Sequence, residues 1–469
     1  MKTYKKENNI NKKTKKKYKK RYGGKAVDAG SYGCVFKPAI KCANGTRAYD
    51  NNSISKLMYT EDTESELIEM AKVKKFIENI PDKQNYFLLS NTYQCNPTPL
   101  NEEDKSTFDR KCRLFTKRGI NKENVNENLN KLSLLIMPNG GKNIENFIEA
   151  ILQLPKKDMY MFFIDLNKAL IKLLVYGIVP LNSQGFNHYD IKAGNILMGE
   201  DGHARLIDWG LAGENDGIRV PETIQNRSIA FNMPFSGIFF NNFVKKWLPN
   251  EMIAIKSSKN LKNKTAGQAE LLKIVAINMI NESINKTSKG HYDYITGNIL
   301  HDIYKIYASK NEYVQIDYNS LSSNVLVEYV QAVLLQYVDA DGNFNDVKYF
   351  YEVFTKNVDV WGFLLSYVPL IEYGANIFHT ELINGICRIL LKYCFSPEFA
   401  TKPIMVSELA MELESLNDIA SVYKQSSKKP SPIQTKKLPP LKKPSRSKHS
   451  SEISLDYDYS DENDDTGSV

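Results

Sequence analysis

Apolar and polar residues follow two different periods along this chain, and the two periods predict different elements. The run KLSLLIMP, residues 131–138, is almost continuously apolar and predicts a buried strand. In NSISKLMY, Ile54 and Lys56 fall on one face of a predicted strand, while Ser55 and Leu57 take the other. Residues 156–180 place apolar side chains at helical spacing and predict a long amphipathic helix.

Turn and cap patterns place two more elements. The sequence TESE has the spacing of a capping box, so a helix is predicted to begin near Thr63. Between Ala193 and Asp208, an apolar run, the turn GEDG and the strand-like HARLID predict a β-hairpin. Residues 90–130 are polar and rich in Asn, Lys and Glu, and we interpret them as an inserted loop.

The two ends of the chain lack any periodic apolar pattern. Residues 1–25 carry twelve Lys or Arg and one acid, and residues 423–469 are rich in Lys, Pro and Ser and then acidic. Both are predicted to be disordered. The basic arm is a candidate for binding nucleic acid or another polyanion, and a solvated, solubilising tail is an equally good interpretation.

Length and charge set the remaining bounds. At 469 residues the chain is long enough for one two-lobed domain with tails, or for two to three small domains. The net charge is +8, but residues 1–25 alone contribute +11, so the rest of the chain carries −3. The basicity therefore belongs to the arm and not to the folded body.

Cysteine spacing and hydropathy indicate the compartment. The six cysteines include no C-x-x-C pair, which predicts reduced thiols in an intracellular, reducing compartment. No apolar run reaches about 18 residues, so no membrane span is expected. The lysine-rich start is followed by no apolar stretch of the kind that a secretion signal contains.

The segment HYDIKAGNILMGEDGHARLIDWG, residues 188–210, holds the candidate chemistry. Asp190 and Asn195 lie five residues apart, and Asp208 follows the predicted hairpin directly before Trp209 and Gly210. Phosphoryl transfer from ATP requires metal ions on the phosphates and a carboxylate that orients the attacking hydroxyl. Two carboxylates and an amide at these offsets supply that set.

With these residues in these contexts, the segment resembles the catalytic core of eukaryotic-type protein kinases. The resemblance implies an α+β, two-lobed kinase-like fold, with a small β-rich N-terminal lobe and a mostly helical C-terminal lobe, over residues 26–422. It implies ATP as substrate and Mg²⁺ held by Asn195 and Asp208. Asp190 is then the base, and Lys192 steadies the γ-phosphate.

The resemblance also implies a nucleotide site at the start of the domain. AVDAGSYGCVFKP, residues 26–38, is similar to the kinase glycine loop, although Asp28 stands where the family has its first glycine. Lys56 corresponds to the lysine that holds the α- and β-phosphates, and Glu66 and Glu69 are both candidates for its partner, with Glu69 favoured. Met137 takes the position beside the adenine. The implied nucleotide-binding residues are Val27, Gly30, Ser31, Tyr32, Gly33, Val35, Lys56, Glu69 and Met137.

Beyond Gly210 the chain departs from the kinase pattern. An activation-segment-like stretch, residues 211–233, ends at Pro234, where Phe235 replaces the family's Glu and Lys402 stands at the matching late Arg. VDVWG resembles the family's central helix, whose Asp, here Asp359, braces the catalytic loop. Residues 238–356 are therefore predicted to be a large, mostly helical insertion. Its HYDYITGNIL, residues 291–300, echoes the catalytic loop but lacks the Lys.

Three functions remain open at this point. A serine/threonine protein kinase, acting on protein hydroxyls, is favoured by Lys192 two residues after Asp190. A small-molecule kinase of the aminoglycoside or choline type shares the GNIL and LIDWG contexts, and a pseudokinase scaffold would explain the altered positions. The lysine-rich start and the lost Ala-Pro-Glu are similar to kinases of large DNA viruses. A viral origin would imply host cytoplasm or virion.

Overall fold

The computed structural model describes residues 25–30, 33–43, 52–257, 266–308, 318–339 and 343–425. Within them, a five-stranded antiparallel sheet comes first and a mostly helical region follows. The prediction of a mixed chain with its strands concentrated at the start is confirmed at this level. The predicted arm lies outside the described residues except for Lys25. The predicted tail lies outside them from residue 426 onward, after the last helix ends at Gln425.

The strands form one large sheet and two small ones. The large sheet has the order β1-β2-β3-β5-β4, and the small ones pair β6-β8-β9 and β10-β7. The strands are β1 (Lys25–Gly30), β2 (Gly33–Lys37), β3 (Ser53–Tyr59), β4 (Tyr93–Cys95), β5 (Leu132–Pro138), β6 (Lys142–Asn143), β7 (Phe186–Asn187), β8 (Ile196–Met198), β9 (Ala204–Leu206) and β10 (Gly213–Glu214).

Strand β5 is apolar throughout because both of its faces are covered. Leu134 pairs in register with Leu57, and both belong to a core cluster formed with residues of the 90–130 segment. Leu135 points to the other side, where it joins Met58 in the main core. A strand buried on both faces has no position for polar alternation, which explains the continuous run in the sequence.

The 90–130 segment is ordered, so its prediction as a loop was wrong. It supplies β4, which pairs with β5, and three short helices, namely α2 (Glu102–Lys105), α3 (Phe108–Lys111) and α4 (Arg113–Lys117). Asn101 caps α2 with a capping box. Phe108, Phe115 and Val125 are fully buried beneath the sheet. A few well-placed apolar residues thus anchor a segment that is polar on average.

Four of the six cysteines lie in pairs, and this geometry leaves the predicted reduced state of the thiols a prediction. Disulfides join Cys34 to Cys112 and Cys42 to Cys95, with Cα atoms 5.2 and 5.6 Å apart. The partners lie 78 and 53 residues apart in sequence, which is why their spacing gave no signal. Cys387 and Cys394 are free and buried. The pairing does not identify a compartment.

Helices build the rest of the chain and include the predicted one over 156–180. Besides α2, α3 and α4, the helices are α1 (Thr60–Phe76), α5 (Ile144–Ile151), α6 (Lys156–Leu173), α7 (Val179–Ser183), α8 (Asn242–Ser257), α9 (Ala266–Lys286), α10 (Tyr292–Tyr294), α11 (His301–Ala308), α12 (Tyr318–Tyr337), α13 (Asp346–Tyr349), α14 (Thr355–Leu365), α15 (Val368–Glu372), α16 (Thr380–Tyr393) and α17 (Val406–Gln425). None of these helices is both long and apolar enough to span a membrane.

Helix α14 lies at the centre of the helical region. Its residues Asn357–Leu365 are all buried, so both its polar and its apolar side chains meet protein. On the neighbouring helix α6, Asn167 donates to the backbone oxygen of Leu413 in α17 at 2.8 Å and accepts from the Tyr367 hydroxyl at 2.7 Å. These bonds satisfy a fully buried amide and join α6 to α17 and to Tyr367, two residues after α14.

Aromatic packing stands where the kinase pattern has an ion pair. The Phe235 ring lies 5.1 Å from the Trp361 ring, 5.5 Å from Tyr329 and 6.0 Å from Phe395. Lys402, at the other half of the expected pair, instead bonds Glu398. The end of the 211–233 segment is therefore held by buried rings and not by a salt bridge.

A glycine turn joins the large sheet to the helical region. Gly141 has a φ of +104°, and a Cβ atom added there would lie 2.0 Å from the backbone oxygen of Met198 in β8. A Cβ atom added to Gly140 would lie 2.5 Å from the side chain of Leu197. The turn after β5 thus requires glycine, because the chain crosses directly over the β8–β9 hairpin.

Gly141→Ala is expected to lower the free energy of unfolding clearly more than Gly119→Ala does. Gly119 also has a positive φ, +81°, but a Cβ there meets nothing within 4 Å. Strain at φ alone costs roughly 1–2 kcal/mol, and the clash with Met198 adds about 1–3 kcal/mol. Urea unfolding of both variants measures the difference, and equal losses would show that the close crossing is absent.

Candidate active site

The predicted hairpin delivers the candidate residues to one place. After β7 the chain turns through Asp190, forms a short 3₁₀ turn over Ala193–Asn195, and continues into the antiparallel pair β8 and β9. The backbone N–H of Ile207 donates to the oxygen of Asn195 at 3.0 Å. This bond joins Asn195 to the residue directly before Asp208, although Asn195 and Asp208 are thirteen positions apart in the sequence.

The Asp190 carboxylate is held by three side chains. Its Oδ2 atom accepts from Lys192 Nζ and from Asn195 Nδ2, each at 2.9 Å, and its Oδ1 atom accepts from Asn232 Nδ2 at 2.8 Å. Asn195 Nδ2 also donates to the backbone oxygen of Asp190. The carboxylate therefore has a fixed orientation before any substrate arrives.

The same contacts keep Asp190 ionised. Burial alone raises the pKa of its carboxyl, but the Lys192 ammonium and the hydrogen bonds from Lys192 and Asn232 outweigh that cost, so the pKa lies below its usual value. At neutral pH the group is a carboxylate with its acceptor atoms in place. An oriented carboxylate of this kind can accept a hydrogen bond and then the proton of a hydroxyl.

A second carboxylate braces the loop from below. Asp359 of α14 is 1% exposed and accepts from the backbone N–H of His188 at 2.8 Å and of Tyr189 at 2.9 Å. Asn187 Nδ2 adds a third bond at 3.1 Å. The brace expected from the VDVWG segment is therefore present in the geometry.

Tyr189 is built into this loop and does not face solvent. It has a φ of +59°, is 1% exposed, and its hydroxyl donates to Asn215 Oδ1. Asn215 Nδ2 in turn donates to Asn187 Oδ1 at 2.7 Å, and Arg227 Nη1 donates to the backbone oxygen of Tyr189 at 2.8 Å. The 211–233 segment is thus bonded to the loop through neutral partners and one guanidinium.

Asn195 and Asp208 fit a magnesium ion in the manner of the kinase family. Asp208 is exposed with a φ of +65°, and Asn195 is buried with its amide nitrogen directed at Asp190. The amide oxygen of Asn195 is then the atom that a cation would use. Mg²⁺ typically takes one or two protein oxygens and completes its shell with phosphates and water. The described residues contain no cluster of three or more His, Cys, Asp or Glu that could hold a metal.

Three of the predicted nucleotide residues, Val35, Lys56 and Met137, share one face of the large sheet. Val35 pairs in register with Lys56, and Met137 pairs with Ile54, the neighbour of Lys56 on the same face. Val27 is 44% exposed at the edge. Gly30 and Gly33 close the β1–β2 hairpin, and Ser31 and Tyr32 lie outside the described residues.

Close packing requires glycine at position 33. A Cβ added to Gly33 would lie 2.6 Å from the backbone oxygen of Leu57. The first strands therefore approach β3 closely at the loop that the resemblance assigns to phosphate.

Lys56 pairs with Glu66, so the preference for Glu69 was wrong. Lys56 Nζ lies 2.6 Å from Glu66 Oε2, while Glu69 bonds Lys72 on the helix surface. The reason is the start of α1, which begins at Thr60 and not near Thr63. The Thr63 hydroxyl donates back to the Tyr59 oxygen, so no capping box forms and Glu66 is free to reach the sheet.

One participant was missed from the sequence, Asn232 as a hydrogen-bond partner of Asp190, whereas Glu66 was a candidate that was not favoured. Asn232 lies 42 residues after Asp190 and meets it only through folding. Its one local signal was its place two residues before Pro234.

Comparisons with known proteins agree with the geometry at a coarse level. No protein-family model matches the chain. It is 36% identical over 74 residues to the serine/threonine-protein kinase TOUSLED of Arabidopsis thaliana, covering 15% of this chain and 10% of that protein. It is 47% identical over 45 residues to a serine/threonine-protein kinase of Candida albicans, covering 10% of this chain and 6% of that protein. The chain spans only about a tenth or less of these relatives' length. The local matches support at most a relationship to protein kinases.

Glu66→Gln is expected to lower the free energy of unfolding by roughly 1–2 kcal/mol, because it leaves the Lys56 ammonium partly buried without a counter-charge. Glu69→Gln is the matched control, since it breaks a surface pair on the same helix and should cost at most about 0.5 kcal/mol. Urea unfolding compares the two. A larger loss of unfolding free energy for Glu69→Gln than for Glu66→Gln would contradict the pairing of Lys56 with Glu66.

Proposed function

We propose that this protein is a serine/threonine protein kinase of two-lobed architecture. The observation that carries the proposal is the Asp190 carboxylate, ionised and held by Lys192, Asn195 and Asn232 beside the exposed Asp208. The partial similarity to two serine/threonine-protein kinases points to the same chemistry.

In the proposed reaction, Asp190 orients the substrate hydroxyl and accepts its proton. The substrate oxygen forms a bond to the γ-phosphorus of ATP, the bond from that phosphorus to the β-phosphate oxygen breaks, and ADP leaves. Lys192, 2.9 Å from Asp190, steadies the γ-phosphate, and Lys56, set by Glu66, holds the α- and β-phosphates. Mg²⁺ held by Asn195 and Asp208 would supply positive charge to the phosphates.

A protein substrate is favoured over a small molecule by the ordered stretch between Gly210 and Pro234. This stretch packs on the catalytic loop and contributes Asn232 to it. A pseudokinase would lack a residue that phosphoryl transfer requires. Each implied residue that the structure describes is present, which favours an active kinase over a pseudokinase. The basic arm, residues 1–25, is proposed to bind polyanions, and its placement is outside the described residues.

The test of the proposal is transfer of label from ATP to protein in the presence of Mg²⁺. Wild type is expected to label a generic basic protein at serine or threonine, and Asp190→Asn is expected to cut turnover by at least about a hundredfold. ATP affinity should stay within about twofold, because Asp190 contacts the acceptor and not the nucleotide. Label on aminoglycoside or choline acceptors alone would favour the small-molecule alternative. Full turnover by Asp190→Asn would contradict the assignment of the base.

We also propose that activity does not depend on phosphorylation of the 211–233 segment. The acceptor candidates are already engaged or enclosed: Ser228 Oγ lies 2.7 Å from Ser288 Oγ, and Thr223 Oγ1 is buried. Tyr189, where many kinases have Arg, offers no cation for a phosphate to neutralise.

The Thr223→Ala/Ser228→Ala variant is therefore expected to keep wild-type turnover within about threefold after phosphatase treatment of both proteins. Turnover is measured before and after incubation with ATP. Activity that phosphatase removes from both proteins, and that ATP restores in wild type alone, would show that a phosphate switch exists.

A further inference from the structure

A turn of the inserted region lies directly on the 211–233 segment. It follows α9 and comprises residues 288–291. Ser288 Oγ is 2.7 Å from Ser228 Oγ, and the backbone N–H of His291 donates to the Ile229 oxygen at 2.7 Å. Gly290 has a φ of +51°, and a Cβ there would lie 2.2 Å from that same oxygen. The contact is a close backbone fit and not a loose surface touch.

His291 makes the innermost contact of this turn. Its Nδ1 atom accepts from the backbone N–H of Phe231 at 3.4 Å, and its ring meets the Phe231 ring edge-on with centroids 5.2 Å apart. On the opposite side, Trp361 Nε1 of α14 donates to the Phe231 oxygen at 2.9 Å. The two polar atoms of the Phe231 backbone are therefore bonded to two different elements, the insertion and the central helix.

The residue after Phe231 reaches the catalytic carboxylate. Asn232 Nδ2 donates to Asp190 Oδ1 at 2.8 Å and to the Ile191 oxygen at 3.3 Å. Any rotation of the Phe231–Asn232 peptide would move this amide, because the side chain is short and buried. The position of Asp190 is thus linked to the insertion through the backbone of Phe231, the residue directly before Asn232.

The surroundings of His291 keep its ring in the form that accepts. Burial lowers the pKa of the imidazole, the cations of Lys192 and Arg227 lower it further, and Asp190 acts in the opposite direction. On its own turn the charged neighbours are Lys289 and Asp293, which pair with each other at 3.2 Å. A neutral imidazole has one acceptor nitrogen, and here that nitrogen faces the Phe231 N–H.

We propose that His291 is a positioning residue for phosphoryl transfer, holding the backbone of Phe231 so that Asn232, the next residue, orients Asp190. This inference rests on the proposed kinase function. It gives the insertion a direct part in orienting the Asp190 carboxylate. The residue responsible, His291, is the first of the segment HYDYITGNIL, whose likeness to the catalytic loop plays no part in this role.

The test compares three variants with wild type. His291→Leu removes the acceptor but keeps an apolar side chain, His291→Asn keeps an acceptor oxygen near the place of Nδ1, and Lys289→Gln breaks the surface pair on the same turn as a control. His291→Leu is expected to lower kcat roughly ten- to a hundredfold, as small misplacements of catalytic groups do. The KM for ATP should be unchanged, His291→Asn should restore most of kcat, and Lys289→Gln should match wild type.

Amide hydrogen exchange over residues 227–235 supplies a readout that needs no turnover. Faster exchange is expected in His291→Leu and near wild-type exchange in His291→Asn. Wild-type kcat in His291→Leu, or equal impairment of the Leu and Asn variants, would overturn the inference. If wild type transfers no phosphate, the proposed function fails, and unchanged exchange in His291→Leu would then overturn the positioning role separately.

Discussion

The catalytic loop depends on one buried carboxylate, that of Asp359. Burying an ionised carboxylate costs several kcal/mol unless hydrogen bonds replace its water. Here the replacement comes from the backbone N–H groups of His188 and Tyr189 and from Asn187. Because two of these three donors are backbone N–H groups of the loop, the packing of α14 and the conformation of the loop stabilise each other.

The positive φ of Tyr189 belongs to the same arrangement. A tyrosine at +59° is strained, and such residues persist where the surroundings determine them from several sides. Two Asp359 oxygens, the Asn215 amide and the Arg227 guanidinium all bond the chain at or beside this residue. The strain is offset by contacts on both sides of the loop, and the result places Asp190 at its tip.

Much of the site could be predicted because its parts are local in sequence. Asp190, Asn195 and Asp208 lie in one hairpin whose turn and strands have clear patterns, and Lys56 was placed by strand alternation. The choice of Glu69 failed because a capping box was assumed where the Thr63 hydroxyl instead bonds the preceding turn. The local sequence pattern does not distinguish this hydrogen bond of Thr63 from a capping box.

The other misses share a different cause, which is contact between residues far apart in the chain. The role of Asn232 and the ordering of residues 90–130 both depend on partners tens of residues away. The 90–130 segment looked like a loop because its average is polar. Its few apolar side chains, Phe108 and Phe115 among them, suffice once the underside of the sheet is available to cover them.

The insertion extends the core that holds the site and is not an appendage to it. Phe239 stacks on Phe344 with centroids 4.5 Å apart, and Phe240 meets Phe354 at 4.9 Å, directly before α14 begins. Residues from both ends of the insertion therefore bury rings against each other beside the helix that carries Asp359.

In kinases an ion pair at the Ala-Pro-Glu position fastens this region. Here Phe235 and the rings around it supply the attachment, and a non-directional apolar cluster can do so only if enough surface surrounds it. The inserted helices provide that surface, since Tyr329 of α12 is one of the rings on Phe235. The loss of the ion pair and the presence of the insertion are thus two parts of one structural solution.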